Sequence, residues 1–311
     1  MRYRIEAIVA HGDGVKEFRL APADGGAAPA WPPGAHITVG IQAADGASYR
    51  NAYSLVGTPG PQLRIAVQRA AAGRGGSRTL HAHYRAGMEL DVSGPRDGFR
   101  LHQGARRTVL IAGGIGITPL VSMACALEAA GAAFELHYLA RDRAHMALLG
   151  ELAAFRHGRV TGYATATEGR PPLAAIVGPW AEGSELHACG PAPLLQAIRA
   201  SALAQLWPPA RLHAESFGAR SLAGDRPLRV HLRQSGITVG VAPGTPILDA
   251  LIAGDAFVSY DCRRGECGSC YAPVVSGLPL HRDVCLTPAQ RAEGMTTCVS
   301  WAAGDDLVLD L

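Results

Sequence analysis

No run of apolar residues in this chain approaches the ~18–20 needed to cross a bilayer. The opening Met1-Arg2-Tyr3-Arg4-Ile5-Glu6 lacks the apolar core and small-residue cleavage site of a secretory leader, so a cytoplasmic location with no membrane attachment is expected. Aromatic residues are scarce, at 6%, and no basic run carries them in alternation, which removes the usual footprint of a nucleic-acid binder. Charge of one sign is also lacking: 29 lysines plus arginines stand against 26 acidic residues, a net +3. Arginines scattered in this way can still form a local patch for an acidic protein surface or an anionic small molecule. Paired Cys-x2-Cys knuckles, the habit of structural zinc, are missing because only one short pair exists. The hydrophobic fraction, 48%, is ordinary for a globular protein, and 311 residues exceed what one core comfortably holds, so two or three domains are expected.

The cysteines that are present are concentrated near the end. Three of the seven lie in Cys262-Arg263-Arg264-Gly265-Glu266-Cys267-Gly268-Ser269-Cys270, a C-x4-C-x2-C run, and Cys298 follows in Thr297-Cys298-Val299-Ser300. In a reducing compartment disulfides are disfavoured and clustered thiols read as metal ligands. The spacing is the plant-type one for four thiolates around a two-iron, two-sulfur (2Fe-2S) cluster. Three sulfurs so close in sequence converge only on a loop whose amides turn inward, and Gly265 and Gly268 supply that freedom. Cys285 is the alternative fourth ligand; otherwise Cys285 and Cys125 read as small packing residues. Around the loop stand a hairpin (Leu228–Arg233 and Ile237–Val241 about Gln234-Ser235-Gly236), a helix over Ile247–Ala253 capped by Thr245 with Pro246 at its first position, and a strand over Tyr271–Val275.

The first third is a series of short strand-like runs broken by Gly, Pro and Asp: Ile5–Ala10, Val15–Leu20, His36–Ile41, Ala52–Leu55, Leu63–Val67 and Met88–Val92. This spacing predicts a small antiparallel β-barrel. In Arg50-Asn51-Ala52-Tyr53-Ser54-Leu55, an arginine for phosphate, a ring for a flat heterocycle and a hydroxyl would together suit a flavin. A plain amphipathic strand is the competing reading. In Gly73-Arg74-Gly75-Gly76-Ser77, glycines let backbone amides face an anion and Ser77 could head a helix, although a flexible loop would look the same.

From about Arg106 the pattern changes. Thr108–Ala112 is continuously apolar, as a buried parallel strand should be, and runs into Gly113-Gly114-Ile115-Gly116-Ile117-Thr118-Pro119 and a helix from Leu120 to about Ala130. Strand, glycine turn and helix is the context in which amides bind a pyrophosphate, although the turn is not a literal G-x-G-x-x-G. A second strand, Phe134–Ala140, ends in Arg141-Asp142-Arg143; the acid suits the ribose of NAD and the arginines the extra phosphate of NADP. Later come Cys189-Gly190-Pro191 ahead of a helix over Ala192–Leu206, and then His213-Ala214-Glu215-Ser216-Phe217.

Arg50-x-x-Tyr53-Ser54-Leu55 followed by Gly73-Arg74-Gly75-Gly76-Ser77 resembles the flavin domain of the ferredoxin–NADP reductase superfamily. Within it the likeness is to the phthalate dioxygenase reductase family, with the reductases of vanillate demethylase and carnitine monooxygenase. The resemblance implies Tyr53 and Ser54 against the isoalloxazine, Arg50 near the phosphate, and Gly75, Gly76 and Ser77 receiving the phosphate of FMN, with Ile65 and Val67 on the strand between. It implies NADH, with NADPH the alternative, held by Gly114, Gly116, Thr118, Arg141, Asp142, Cys189, Gly190 and Pro191, and Phe217 near the flavin–nicotinamide junction. Ser54, Cys189 and Glu215 would shape hydride transfer, and Cys262, Cys267, Cys270 and Cys298 would hold the cluster. The implied fold is multidomain: an FMN-binding antiparallel β-barrel over 1–104, an α/β nucleotide-binding domain over 105–222 and an α+β β-grasp ferredoxin-like domain over 223–311. The implied role is an NAD(P)H-dependent oxidoreductase, a monomer as isolated, feeding electrons to a terminal oxygenase of the Rieske type, with Arg263 and Arg264 as docking candidates. A reductase using FAD and serving a ferredoxin or cytochrome, and a redox sensor, are the competing functions.

Overall fold

Short runs punctuated by Gly and Pro become the strands of the first sheet: β1 (Arg2–Ala10), β2 (Val15–Pro22), β3 (His36–Gln42), β4 (Ser48–Ser54), β5 (Leu63–Gln68) and β6 (Glu89–Arg96), with helix α1 (Gly76–His83) between the last two. The computed structural model describes residues 1–12, 14–70, 75–217 and 224–311. Gly73 and Arg74 of the glycine loop, and Ser221, Leu222 and Ala223, a stretch that reads from the sequence as a linker ahead of the last domain, lie outside the described residues. The sheet runs β4-β3-β6-β1-β2-β5 with antiparallel neighbours throughout. Side chains alternate across it, so Ile5, Ile37, Val39, Ile41 and Ile65 are fully buried on one face. Each such aliphatic contributes about 1.5–3 kcal/mol relative to an exposed position. An isolated bridge from Leu55 to Ile65 ties the chain just past β4 to the strand at the opposite edge.

The next segment alternates strand and helix: β7 (Arg107–Gly113), α2 (Ile117–Ala129), β8 (Phe134–Ala140), α3 (Leu149–Leu152), β9 (Gly158–Ala164), α4 (Leu173–Val177), β10 (Ser184–Cys189), α5 (Ala192–Ala204) and β11 (Leu212–Glu215). Its sheet is wholly parallel, in the order β11-β10-β7-β8-β9. Central β7 is buried at every position but its first, as its unbroken apolar run requires. Helix α2 starts at Ile117 rather than Leu120, because a 3-10 turn over Gly114–Gly116 runs straight into it. Pro119 therefore stands inside the first turn, where amides have no intrahelical acceptor anyway.

Both sheets belong to one unit, Met1–Glu215, and share a core. Val15, Val56, Ala66 and Phe99 pack with Leu120, Met123 and Leu127 of α2. The Gly34 amide donates to Ser122 Oγ at 2.9 Å. Arg64 on β5 binds Glu17 on β2 at 2.8 Å and also pairs with Glu151 on α3.

The second unit, Ser216–Leu311, holds β12 (Leu228–Leu232), β13 (Thr238–Val241), α6 (Ile247–Ala253), β14 (Tyr271–Ser276), β15 (Pro279–Leu280), α7 (Pro288–Glu293), β16 (Gly294–Thr296), β17 (Trp301–Ala302) and β18 (Asp306–Leu309). The main sheet is ordered β13-β12-β18-β14-β16, with β12 and β18 parallel at its centre. Leu248 and Leu251 of α6 share a core with Val230, Trp301 and Leu307. Helix α6 spans the expected Ile247–Ala253, with Pro246 rather than Thr245 at the cap position and no side-chain capping bond. Helix α7 was not anticipated, although Thr287 and Gln290 form a full capping box there. Among the described residues no helix is long and apolar enough to cross a membrane.

Candidate functional site

In the first unit the expected flavin residues gather around β4. Tyr49, Asn51 and Tyr53 share one half-buried face, and Asn51 donates to the Tyr53 hydroxyl at 3.0 Å. The glycine turn lies on that face. A Cβ at Gly75 would come 2.8 Å from the Tyr49 hydroxyl, and one at Gly76 would come 2.7 Å from Asn51 Nδ2. Gly75 also has φ +121, a conformation open to glycine alone. Helix α1 thus opens onto the Tyr53 face with no acidic residue in its first turn and no side-chain cap, which leaves its amides available to an anion. The Ser77 hydroxyl accepts from the Ala70 amide at 3.1 Å, pinning the turn. Ile65 and Val67 are fully buried on β5. Arg50 points the other way, is exposed, and donates to Ser93 at 3.1 Å. Ser54, the last residue of β4, is 6% exposed and faces His36 of β3 in register.

At the C-terminal ends of the parallel strands, two turns meet backbone to backbone. A Cβ at Gly116 would fall 2.2 Å from the Cys189 carbonyl oxygen, and one at Gly190 would fall 3.0 Å from the Gly113 Cα. The glycines after β7 and β10 are therefore required by this close approach. Gly114 differs: it is left-handed at φ +55 with open space around its Cβ position. Thr118 is buried and donates to the Ile115 carbonyl at 3.0 Å. Cys189 on β10 and Glu215 on β11 are direct register partners, both buried, so their side chains stand side by side. Pro191 is exposed at the rim. After β8, Asp142 accepts from the His145 amide at 3.1 Å and from its ring Nδ1 at 2.6 Å. The His145 hydrogen bond holds the Asp142 carboxyl below its ordinary range, so it carries its charge at neutral pH. Arg141 remains 71% exposed beside it.

In the second unit the cysteine run forms a loop in which both expected glycines are left-handed, Gly265 at φ +71 and Gly268 at φ +80. The Arg264 amide donates to Cys262 Sγ at 3.4 Å and the Ser269 amide to Cys267 Sγ at 3.5 Å, the inward N–H groups that thiolates on iron call for. The free thiols fall into neighbouring pairs, Cys262 beside Cys267 and Cys298 beside Cys270. The Cys298 partnership pulls Cys270 down to about 6 while Cys298 itself is pushed up. Two thiol pairs, three thiols from the loop and the fourth from beyond β16, fit a two-iron centre with two thiolates for each iron. Cys285 is closer than a packing residue need be: a Cβ on Gly268 would lie 3.8 Å from its sulfur. Burial, with Asp283 and the neighbouring thiols, pushes it up to about 12, whereas Cys298 is the thiol beside Cys270. Phe217 also belongs to this unit and is 44% exposed.

Residues 230–303 match the model of the 2Fe-2S iron-sulfur cluster binding domain. Across nearly its full length the chain is 42% identical to the phenoxybenzoate dioxygenase subunit beta of Ectopseudomonas oleovorans, covering 99% of this chain and 96% of that one. It is 38% identical to the vanillate O-demethylase oxidoreductase of Pseudomonas sp. strain HR199, over 93% of each. Among solved structures, phthalate dioxygenase reductase, described as modular for electron transfer from pyridine nucleotides to 2Fe-2S, superposes with a TM-score of 0.72 at 31% identity, covering 100% of this chain and 98% of that one. The chain belongs to the phthalate dioxygenase reductase family. Its sheet-rich N-terminal region followed by a 2Fe-2S domain is the architecture of that family.

Three features of this family member escaped the sequence reading. Tyr49 and Asn51 form the floor on which the glycine turn rests, and only the alternation along β4 hinted at them. His145 organises Asp142 three residues away. The stretch after β15 props the cysteine loop: the Val284 amide donates to the Gly265 carbonyl at 2.9 Å, and fully buried Asp283 accepts from the Leu286 amide at 2.9 Å and from Arg291 at 3.0 Å. The Thr-x-x-Gln signature at Thr287 could have found the helix that carries Arg291.

Proposed function

We propose that the chain is the NADH-oxidising reductase component of an oxygenase or demethylase system. When bound, NADH, FMN and the 2Fe-2S cluster supply hydride transfer, two-to-one electron splitting and one-electron export. The protein's part is to bind and orient them. Gly75, Gly76 and Ser77 at the head of α1 receive the flavin phosphate, and Tyr53 and Ser54 line the ring with Ile65 and Val67 behind. Arg50 lies on the opposite face of β4, so it reaches the flavin only by turning away from Ser93. The division into an FMN barrel (1–104), a nucleotide domain (105–222) and a β-grasp (223–311) is the functional one. Two observations favour it: the Leu55–Ile65 bridge between opposite edges of the first sheet, and the mixed sheet with helices α6 and α7 in the last segment.

Gly114, Gly116 and Thr118 present amides to the pyrophosphate, Gly190 and Pro191 keep the strand ends clear, and Asp142 takes the ribose, with Arg141 beside it. Cys189 and Glu215, adjacent and buried, shape the nicotinamide pocket. Cys262, Cys267, Cys270 and Cys298 hold the cluster. Next to them Arg263 lies over the Tyr260 ring at 4.3 Å, and Phe257 is 92% exposed, a docking patch for an acidic oxygenase surface with an apolar contact. Arg264 is partly taken by Glu266 at 2.9 Å.

The observation that carries this reading is the amide-lined loop of three thiols with Cys298 brought beside Cys270, in a chain whose relatives match end to end. The test is anaerobic titration of the purified protein with NADH. Flavin bleaching followed by the electron-spin signal of a reduced two-iron cluster is expected, and mass spectrometry of the released flavin should find FMN. A protein that binds flavin and iron yet passes no NADH electrons to the cluster would be a sensor or carrier instead.

A further inference from the structure

Three imidazoles that the redox function does not use stand together in the first unit. His187 is on β10, His213 is its register partner on β11, and His102 is on the connection between β6 and β7. Their ring centroids lie 4.6 Å (His187–His213), 4.1 Å (His102–His213) and 5.8 Å (His102–His187) apart, with planes fanned by 24°, 18° and 33°. One nitrogen from each comes within 4.8 Å of those of the other two. His187 is wholly buried, and neither of its ring nitrogens makes a hydrogen bond. A buried polar group left in that state costs about 1–3 kcal/mol, so it calls for a ligand. His213 is held from behind: its Nε2 bonds Glu185 at 2.8 Å, and Glu185 is bound in turn by Arg211 at 2.5 Å. A carboxylate on Nε2 makes that nitrogen the proton carrier and leaves Nδ1 as an electron-pair donor, the arrangement found behind metal-bound histidines.

We propose that His102, His187 and His213 form a site for a single divalent transition ion of the zinc class, with solvent in the fourth position on the exposed His102 side. Three neutral nitrogens select zinc, nickel or copper over magnesium or calcium. Tetrahedral ligation at about 2.0–2.1 Å brings nitrogens to about 3.3 Å from one another. The ligating nitrogens need to approach by up to about 1.5 Å while the stacked rings turn edge-on to the ion, and His102, on an irregular connection, is the one placed to swing in. A bound ion would staple that connection to the β10–β11 edge of the sheet.

The test is equilibrium dialysis of the holoprotein against micromolar zinc, followed by metal analysis. About one zinc per chain beyond the iron complement is expected, and it should persist in a Cys125→Ser/Cys285→Ser double variant. His102→Ala, at an exposed position the fold does not need, should weaken binding at least tenfold. Glu185→Gln should weaken it by about ten- to a hundredfold, as removal of a carboxylate behind a metal-bound histidine does. No zinc uptake by the wild type, uptake unchanged in His102→Ala, or uptake abolished in the cysteine double variant would each overturn the proposal.

Discussion

Glycines serve opposite purposes in the cysteine loop and in the turns above the parallel sheet. Gly265 and Gly268 are both left-handed; a Cβ at Gly265 would also meet Val299 at 2.6 Å, whereas at Gly268 the space around a Cβ is open to ordinary contact. Gly116 and Gly190 have ordinary backbone angles but no space, since backbone atoms of the facing turn lie 2.2 Å and 3.0 Å from where a Cβ would sit. Gly268 supplies conformation alone, and another residue can adopt it at about 1–2 kcal/mol. Gly116 and Gly190 supply closeness, and a wall of backbone cannot retreat as a side chain can. Metal loops tolerate strain because the cluster bonds hold them. Nucleotide turns tolerate none, because their geometry rests on two strands lying flush.

The largest effect that would test this contrast is on the cluster itself. Cys298→Ala should abolish the cluster, read as loss of its visible absorbance and of iron, whereas Cys285→Ala should retain both. The reverse outcome would move the fourth ligand to Cys285 and remove Cys298 from the loop's chemistry.

Next comes the pair Gly116→Ala and Gly268→Ala. Gly116→Ala should destabilise the first unit by about 3 kcal/mol, the upper part of the overpacking range, and raise the KM for NADH. Gly268→Ala should cost about 1–2 kcal/mol in the second unit and leave NADH binding alone. Thermal melts followed separately by flavin and cluster absorbance would report the two. Equal costs would erase the distinction.

Acid should separate the two units as well. Burial alone would raise the Glu17 carboxyl, but hydrogen bonds from Arg64, His11 and Arg19 outweigh it and hold it at about 2, against 4.5 when unfolded. The group is lower in the folded state, so its contribution is complete above pH 4.5 and is lost as pH falls towards 2. For a side chain 1% exposed that amounts to about 3 kcal/mol in the first unit. Urea melts at pH 5 and pH 3 should show about half of this loss, and Glu17→Gln should remove most of the pH dependence. An unchanged slope in Glu17→Gln would assign the acid sensitivity elsewhere.

The smallest expected change is at the cofactor's ribose. Asp142→Ala should narrow the preference for NADH over NADPH by about tenfold in kcat/KM, close to 1.4 kcal/mol. Unaltered preference would leave Asp142 as a cap for the turn it already closes with His145.

Much of this was legible before any fold was known. The cysteine loop was readable because its chemistry is local: three thiols and two glycines within nine residues must converge whatever surrounds them. The buried run of β7 and the alternation in the first sheet were readable because burial imposes its period directly on side chains. Less legible was what depends on residues distant in sequence. The structural role of buried Asp283 and its neighbours escaped notice because Asp283 binds Arg291 on α7 and the Val284 amide binds the Gly265 carbonyl of the cysteine loop.

The amino-acid sequence by itself determined the family and the presence of a 2Fe-2S domain, and it was enough to propose the four cluster ligands as a set, since each rests on spacing along the chain. Only the tertiary structure decided why Gly113, Gly116 and Gly190 must be glycine, that Cys189 stands beside Glu215, and that three histidines from separate segments share one place. Those facts are products of strand register, and register is set by how whole sheets pack rather than by any stretch of sequence alone.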